Sequence, residues 1–193
     1  DKQLSSRAFM VASGGVYVEP GKDEVAFQPL SELKNPKLCS ESEYNESILW
    51  CQQFIEGLLS QQGVETNPIM SSAINETLKL LSNKDSSAHD LTSFQGYVNY
   101  IDPATGINTI QSALEPYCKG GEFGSIFDAD VTTLNLSKIM AIEMGSLMRL
   151  SEKAVAPALM YIFRYLEKIW NVGHGEKQPV TFLFLDEAWL YLQ

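Results

Sequence analysis

The sequence predicts an α/β protein with a mostly parallel sheet and a helical insertion. The run from Phe182 to Leu185 is apolar on both faces, as in a strand buried in the middle of a sheet. The apolar run over residues 138–144 is short enough for a second buried strand, although its period alone also allows a helix. Residues 151–171 between them have helical spacing. Strand, helix and strand in this order form the βαβ unit of a parallel sheet, with a right-handed crossover.

The helix over 151–171 is the most regular element of that unit. Ser151 stands where an N-cap belongs, and Gly173 and Gly175 end the pattern. One face carries apolar side chains at helical spacing: Ala154, Ala158, Tyr161 or Ile162, Tyr165 and Ile169.

Two adjacent carboxylates, Asp186 and Glu187, directly follow the apolar strand. The carboxyl ends of parallel strands form the edge at which α/β proteins bind ligands, so the strand delivers both acids there. This is typical of a Walker B strand. In such strands the first acid holds the Mg²⁺ of a bound nucleotide, and the second polarises the water that attacks the γ-phosphate. The alternative is a buried strand followed by a helix-capping Asp and an exposed Glu.

Residues 1–35 are predicted to form strands and turns of the same core. Two short runs have β-type composition, Val16–Val18 and Val25–Phe27, and Pro20-Gly21 and Pro29 interrupt them.

Residues 36–120 are predicted to form a helical subdomain. The first helix runs from Glu41 to Gly63, and the second starts at Pro68 and ends in the polar stretch 82–87. A short third helix covers 91–101, and a fourth covers 107–114 and is closed by Gly120-Gly121. Between 41 and 119 there are ten Asp and Glu, three Lys and no Arg, a surplus of −7. This acidity indicates either a solvated face of amphipathic helices or a docking surface.

Composition excludes several classes of protein. The net charge of −10 disfavours a nonspecific grip on nucleic acid, which needs clustered Lys and Arg. Three cysteines without a CxxC pair predict reduced thiols rather than a disulfide framework or a zinc site. No run is long enough to span a bilayer, and the first residues lack the features of a secretory signal, so a cytoplasmic location is expected. His89 and His174 lie in polar, turn-like settings far apart, which disfavours a two-histidine metal site.

Three segments taken together resemble one family. They are GEFGSIFD from Gly121 to Asp128, APALMYIFR from Ala156 to Arg164, and FLDEAW from Phe184 to Trp189. In this order and spacing they are similar to the ATPases of type IV secretion and conjugative DNA transfer, the TrbE and CagE kind. The stretches Asp1–Gly15 and Phe27–Leu30 match the same family.

The resemblance implies a RecA-like P-loop motor core that binds ATP and Mg²⁺, with Asp186 as the Mg²⁺-binding acid and Glu187 as the catalytic acid. It also implies a hexamer at the inner face of the bacterial inner membrane, working with other inner-membrane components of the secretion system. Trp189 would complete the DEAW signature, with a core aromatic as the alternative. A family loop of Phe123, Gly124, Phe127 and Asp128 is expected to be a tight turn pinned into the core rather than a catalytic element.

The sequence departs from that family in one respect, because it contains no Walker A motif. The nearest match, Gly15 to Gly21-Lys22, is one residue too long and has Asp23 in place of the hydroxyl residue. The chain is therefore expected to be an internal piece of a longer motor, and by itself to bind no nucleotide. The resemblance leaves the arginine finger open among Arg7, Arg149 and Arg164, for which surface salt bridges are the plainer roles.

Two other functions remain open at this point. A non-enzymatic binding module could dock its helical block on secretion-channel components. A metal-dependent hydrolase could use Asp186 and Glu187 without a P-loop, although no further ligands of suitable spacing accompany them.

Overall fold

The computed structural model describes residues 2–22, 25–134, 139–171 and 182. Within these ranges the two strands are β1 (Val16–Val18) and β2 (Met140–Ile142), and 3-10 turns cover Pro29–Glu32, Ser86–Ala88 and Glu115–Tyr117. The helices are α1 (Lys2–Ala12), α2 (Glu41–Gln61), α3 (Pro68–Ser82), α4 (Leu91–Tyr97), α5 (Thr109–Leu114), α6 (Gly124–Phe127), α7 (Gly145–Leu150) and α8 (Glu152–Asn171).

The N-terminal region differs from its prediction. Residues Lys2–Ala12 form α1 instead of strands and turns, and Val25–Phe27 is not a strand. Gly14 ends α1 with a positive φ of 68°, and the amide of Gly15 donates to the carbonyl of Met10 at 2.8 Å. This is the Schellman arrangement that glycine favours at a helix end. The glycine pair therefore ends a helix as well as preceding a strand.

The two strands pair in parallel, in agreement with the mostly parallel sheet that the sequence predicted, although the sequence did not predict that these two strands are neighbours. Val16, Tyr17 and Val18 lie opposite Met140, Ala141 and Ile142. A Cβ on Gly15 would lie 2.8 Å from the carbonyl oxygen of Ile139, so only glycine allows β1 to approach β2 this closely. The parallel pair within a helix-rich chain is compatible with the α/β class. A RecA-like core stays a prediction.

The helical block forms as predicted, because its boundaries carry strong local signals. Ser40 and Glu43 make a capping box at the start of α2, and Gly63 follows its end with φ of 74°. The side chain of Asn67 accepts hydrogen bonds from two amides of α3, in which Pro68 is an early residue. Asp90 and Asn108 cap α4 and α5 in the same way.

Two details of the secondary structure were not predicted. The third helix stops at Tyr97 rather than reaching Ile101, whose side chain is 59% exposed. A further short helix, α7, lies between β2 and α8. The limits of the three predicted domains stay a prediction.

A cluster of aromatic side chains joins the helical block to the rest of the chain. Phe27 lies 4.9 Å from Tyr161 of α8 and 5.9 Å from Phe127, measured between ring centroids. Trp50 of α2 lies 6.2 Å from Tyr161, and Phe54 of α2 lies 6.5 Å from Phe127. Such contacts contribute beyond their buried area. The helical block and α8 therefore share one hydrophobic core.

Candidate functional site

The predicted acid pair lies outside the described residues. Asp186, Glu187 and Trp189 follow residues 139–171, whose last element is α8. Within the apolar run before the acids, Phe182 is described, and its side chain is 76% exposed rather than buried as expected. The positions and roles of Asp186 and Glu187 therefore stay predictions.

The described ranges of the chain contain another carboxylate pair, at the carboxyl ends of β1 and β2. Glu19 directly follows Val18, and Glu143 directly follows Ile142, the residue opposite Val18 in the sheet. The amide of Glu143 donates to the carbonyl of Val18 at 2.8 Å, which extends the pairing to this edge. This is the edge at which parallel sheets bind ligands.

Glu19 is buried, with only 7% of the residue exposed, and it gathers three polar side chains around it. The hydroxyl of Ser146 donates to Glu19 Oε1, and Lys22 Nζ lies 2.9 Å from Oε2. Arg149 Nη2 lies 3.5 Å from Oε1 and donates to Ser146 Oγ at 2.7 Å. The Ser146 hydroxyl and then the Lys22 ammonium hold the pKa of Glu19 below its usual value, against the effect of burial. Glu19 is therefore an ionised acid with two cations at the sheet edge.

The sequence did not predict this cluster, although a signal was present. An acidic residue directly after a short apolar strand is the same signal that marked Asp186, and both Glu19 and Glu143 have it. The approach of Ser146 and Arg149 to Glu19 depends on α7, which no periodicity revealed.

The glycine-lysine pair nearest to a Walker A motif forms an ordinary turn. The amide of Lys22 donates to the carbonyl of Glu19 at 3.1 Å, and Gly21 has φ of 86°. Pro20 and Gly21 at the centre suit a type II turn. The side chain of Lys22 pairs with Glu19. This geometry agrees with the conclusion that the segment is not a phosphate-binding loop.

The family loop is pinned into the core, as expected, and its central residues form the one-turn helix α6. A Cβ on Gly124 would lie 2.1 Å from the carbonyl oxygen of Cys118, and one on Gly121 would lie 2.3 Å from that of Glu115. Phe123 and Phe127 are 1% and 0% exposed. The two glycines permit a backbone crossing that no other residue could make without displacement.

Asp128 of that loop organises the start of α4. It is 3% exposed and accepts hydrogen bonds from the amides of Leu91 and Thr92, at 2.7 and 3.1 Å, and from the amide of Lys119 at 2.9 Å. The hydroxyl of Thr92 also donates to it. A carboxylate that accepts several amide hydrogens at a helix start has a structural role.

Arg164 of α8 lies among carboxylates rather than at the sheet edge. It pairs with Glu46 at 2.7 Å, with Glu167 at 3.2 Å and with the buried Glu32 at 3.7 Å. Lys168 also pairs with Glu32. These contacts join α8 to α2 and to the turn Pro29–Glu32. The expected salt-bridge role of Arg164 is confirmed, although the residue is half-buried.

His89 directly follows the 3-10 turn Ser86–Ala88, the turn-like setting that the sequence predicted, but the residue is buried. Its Nε2 lies 3.0 Å from the carbonyl oxygen of Leu81. His174 lies outside the described residues. In the described ranges no three His, Cys, Asp or Glu side chains come together as metal ligands, and none of the helices has the length and apolar character of a membrane span. Cys39, Cys51 and Cys118 are free thiols, as predicted.

Comparison with known proteins confirms the resemblance to the conjugative-transfer family. The chain is 29% identical, over its full length, to a Sinorhizobium fredii protein named as a probable conjugal transfer protein TrbE, of which it spans 26%. Over 93% of its length it is 30% identical to a Rhizobium radiobacter conjugal transfer protein TrbE, of which it spans 19%. No family model matches the chain. The chain thus corresponds to about a quarter or less of the length of these relatives.

Proposed function

This chain is a homologue of TrbE conjugal transfer proteins, and we propose that it is an internal segment of an ATPase motor that powers assembly or substrate transfer in a conjugation or type IV secretion system. The observation that carries the proposal is the acid pair Asp186-Glu187 directly after an apolar run of the sequence, in a chain that matches TrbE over its whole length. The parallel pairing of β1 with β2 supports it, because P-loop motors bind nucleotide at the carboxyl edge of a parallel sheet.

In this proposal the two acids divide the chemistry. Asp186 holds the Mg²⁺ of bound ATP, and Glu187 orients and polarises the water that attacks the γ-phosphate. A Walker A motif elsewhere in a longer protein supplies the backbone amides and the lysine that bind the phosphates.

The proposal extends to assembly and location. The longer protein forms a homo-oligomer, a hexamer by the family resemblance. It works at the inner face of the inner membrane with membrane components of the secretion system.

Substitution of the two acids tests the proposal. In the longer protein, Glu187→Gln is expected to leave ATP binding nearly intact and to slow hydrolysis by about 10²-fold or more, the usual scale for losing a general base. Asp186→Asn is expected to weaken Mg²⁺-dependent binding as well. Turnover within about twofold of the unaltered protein for both variants would show that these acids are not a Walker B pair.

The 193-residue chain by itself is expected to bind no ATP that calorimetry detects, because charge-assisted contacts from a P-loop supply most of the phosphate affinity. Micromolar binding of ATP in the presence of Mg²⁺ would contradict the proposal that a separate Walker A segment supplies the phosphate contacts.

A second candidate is a non-enzymatic binding module. It is favoured by three apolar side chains on the outer faces of α2 and α3: Leu49, Ile69 and Leu80 are 56%, 67% and 47% exposed. Exposed apolar groups in an acidic surface suit a protein contact. This candidate would be favoured if the longer protein still assembled on secretion components after its ATPase activity had been abolished.

A further inference from the structure

The three arginines of the chain have different surroundings. Arg164, which belongs to α8, is enclosed by the carboxylates of Glu32, Glu46 and Glu167. The guanidinium of Arg7 lies over the ring of Tyr17, 5.8 Å from its centroid, in the middle of β1 rather than beyond its end. Arg149 belongs to α7, which follows β2 directly, and contacts Glu19 beyond the end of β1. Of the three, Arg149 is therefore the one at the carboxyl edge of the strand pair.

The contact between Arg149 and Glu19 is loose. The side chain of Arg149 is 63% exposed, and the closest approach of the two charged groups is 3.5 Å. An exposed ion pair of this kind contributes little to stability. Glu19 keeps the hydrogen bond from Ser146 and the ion pair with Lys22 when Arg149 moves away. Release of Arg149 thus leaves no buried carboxylate without a partner, which would otherwise be costly.

The backbone beneath Arg149 is held in place. A Cβ on Gly21 would lie 3.3 Å from the amide nitrogen and from the Cα of Leu147, so the turn after β1 packs directly on α7. Leu147 itself is fully buried. The arrangement presents a long cationic side chain from a fixed helix, and only that side chain needs to move to reach a ligand.

We propose that Arg149 binds the phosphates of a nucleoside triphosphate in the longer protein, and that Glu19 and Ser146 position its side chain before the nucleotide arrives. This inference rests on the proposed ATPase function and names the arginine that serves it. A guanidinium is suited to this task because its planar fork of N–H groups donates to two phosphate oxygens at once. Lys22, with its shorter pairing to Glu19, remains as the counter-charge of the buried acid.

The test compares Arg149→Ala with Glu19→Gln in the longer protein. If Arg149 binds phosphate, Arg149→Ala lowers kcat/KM for ATP by at least about tenfold. It also weakens binding of MgADP with aluminium fluoride by a similar factor, while the affinity for MgADP changes by less than about twofold. Glu19→Gln keeps one acceptor oxygen, replaces the other with an NH2 group and removes the charge that positions Arg149, so it is expected to lower kcat/KM by about two- to fourfold, less than Arg149→Ala.

A merely structural salt bridge predicts a different pattern. In that case Arg149→Ala and Glu19→Gln reduce hydrolysis and analogue binding by the same factor, or neither variant affects them. Either result would overturn the inference. Lys22→Ala is the matched control, since it removes the other cation of Glu19. The inference expects it to leave analogue binding unchanged, and a loss equal to that of Arg149→Ala would count against a specific role for Arg149.

Failure of this inference can be told apart from failure of the proposed function. If the longer protein hydrolyses ATP and Glu187→Gln blocks the reaction, but Arg149→Ala leaves analogue binding unaltered, then only the assignment of Arg149 is wrong. If the unaltered longer protein neither binds nor hydrolyses ATP, the proposed function and this inference are both overturned.

Discussion

The hydroxyl of Tyr117 donates a hydrogen bond to the backbone carbonyl of Lys153, at 3.1 Å. Lys153 lies four residues before Pro157, which is inside α8 and has no N–H to donate to that carbonyl. Tyr117 thus supplies the donor that the proline removes from the helix. The hydroxyl also accepts from the side chain of Gln62, at 3.2 Å, so the contact joins α8 to the end of the helical block.

Tyr117→Phe is expected to destabilise the chain by about 1 kcal/mol, the usual net contribution of one hydrogen bond. In a Pro157→Ala background the new amide can donate to Lys153, so Tyr117→Phe should then cost less, and the two substitutions should be coupled. Urea unfolding of the four proteins of this cycle measures the coupling. Tyr44→Phe is the control, because the hydroxyl of Tyr44 lies 3.3 Å from Ser82 Oγ and far in sequence from Pro157. It should lower the free energy of unfolding by the same amount in either background. An equal cost of Tyr117→Phe with and without Pro157 would contradict this explanation.

Gly124→Ala is expected to destabilise the chain by about 3 kcal/mol, because a new methyl group would overlap the carbonyl of Cys118 and force the backbone apart. Gly96 is the matched control. It lies in α4, is exposed, and has no atom within 4 Å of the place where a Cβ would stand. Gly96→Ala should stabilise the chain by about 0.5 to 1 kcal/mol through helix propensity. Thermal unfolding measures both. A similar small effect at the two glycines would show that the turn at Gly124 relaxes easily.

The helical block could be predicted because its signals are local. A capping side chain, an early proline or a terminal glycine marks α2 and α3, and their buried residues recur at helical spacing. The same reasoning placed α8 to within a residue. The N-terminal helix was not predicted because the β-type residues after Gly14 dominate the local pattern, although the eleven residues of α1 contain no proline or glycine.

The cluster at the sheet edge could not be predicted, because its members are distant in sequence. Glu19 and Ser146 are 127 positions apart and meet only because β1 pairs with β2. No local pattern encodes that pairing, and β2 could equally have been a helix by its period. The turn at Gly124 was the intermediate case. Its glycines and aromatic residues indicated a buried turn, but the contact with Cys118 required the fold.

The stability of the chain is expected to fall on the acid side through Glu19. The folded-state pKa of this residue is lowered, chiefly by the Ser146 hydroxyl and then by Lys22. Its stabilising contribution is therefore complete above the ordinary glutamate pKa and is lost as the pH falls through the lowered value. Urea midpoints measured from pH 7 down to pH 3 should decrease more steeply for the unaltered chain than for Glu19→Gln. Ser146→Ala should make this loss smaller and complete it at a higher pH, because it raises the folded-state pKa of Glu19 toward the unfolded value. Parallel curves for the unaltered chain and Glu19→Gln would show that Glu19 has no such role.

The acidic surface of the helical block gives the last prediction, and the structure decides which acids can test it. Glu43 belongs to the capping box of α2, and Glu46 pairs with Arg164, so reversing either charge would also disturb the fold. Glu41 and Glu65 are exposed and lie in the same block. If this surface meets a basic partner of the secretion system or a neighbouring subunit, the attraction is screened by salt, since the Debye length falls from about 10 Å at 0.1 M to about 3 Å at 1 M.

Reversal of both charges, Glu41→Lys with Glu65→Lys, should therefore weaken association of the longer protein with the other components of the assembled system at low salt, and should leave its basal ATP hydrolysis unchanged. Glu152→Lys reverses an exposed acid at the start of α8, outside the block, and should leave association unaltered. Co-sedimentation with the assembled system at 0.1 M and about 1 M salt measures each variant. If neither the charge reversals nor the higher salt weakens association, the acidity of these helices serves only to keep them solvated. An acidic surface that binds a basic partner would lose affinity when its own charge is reversed.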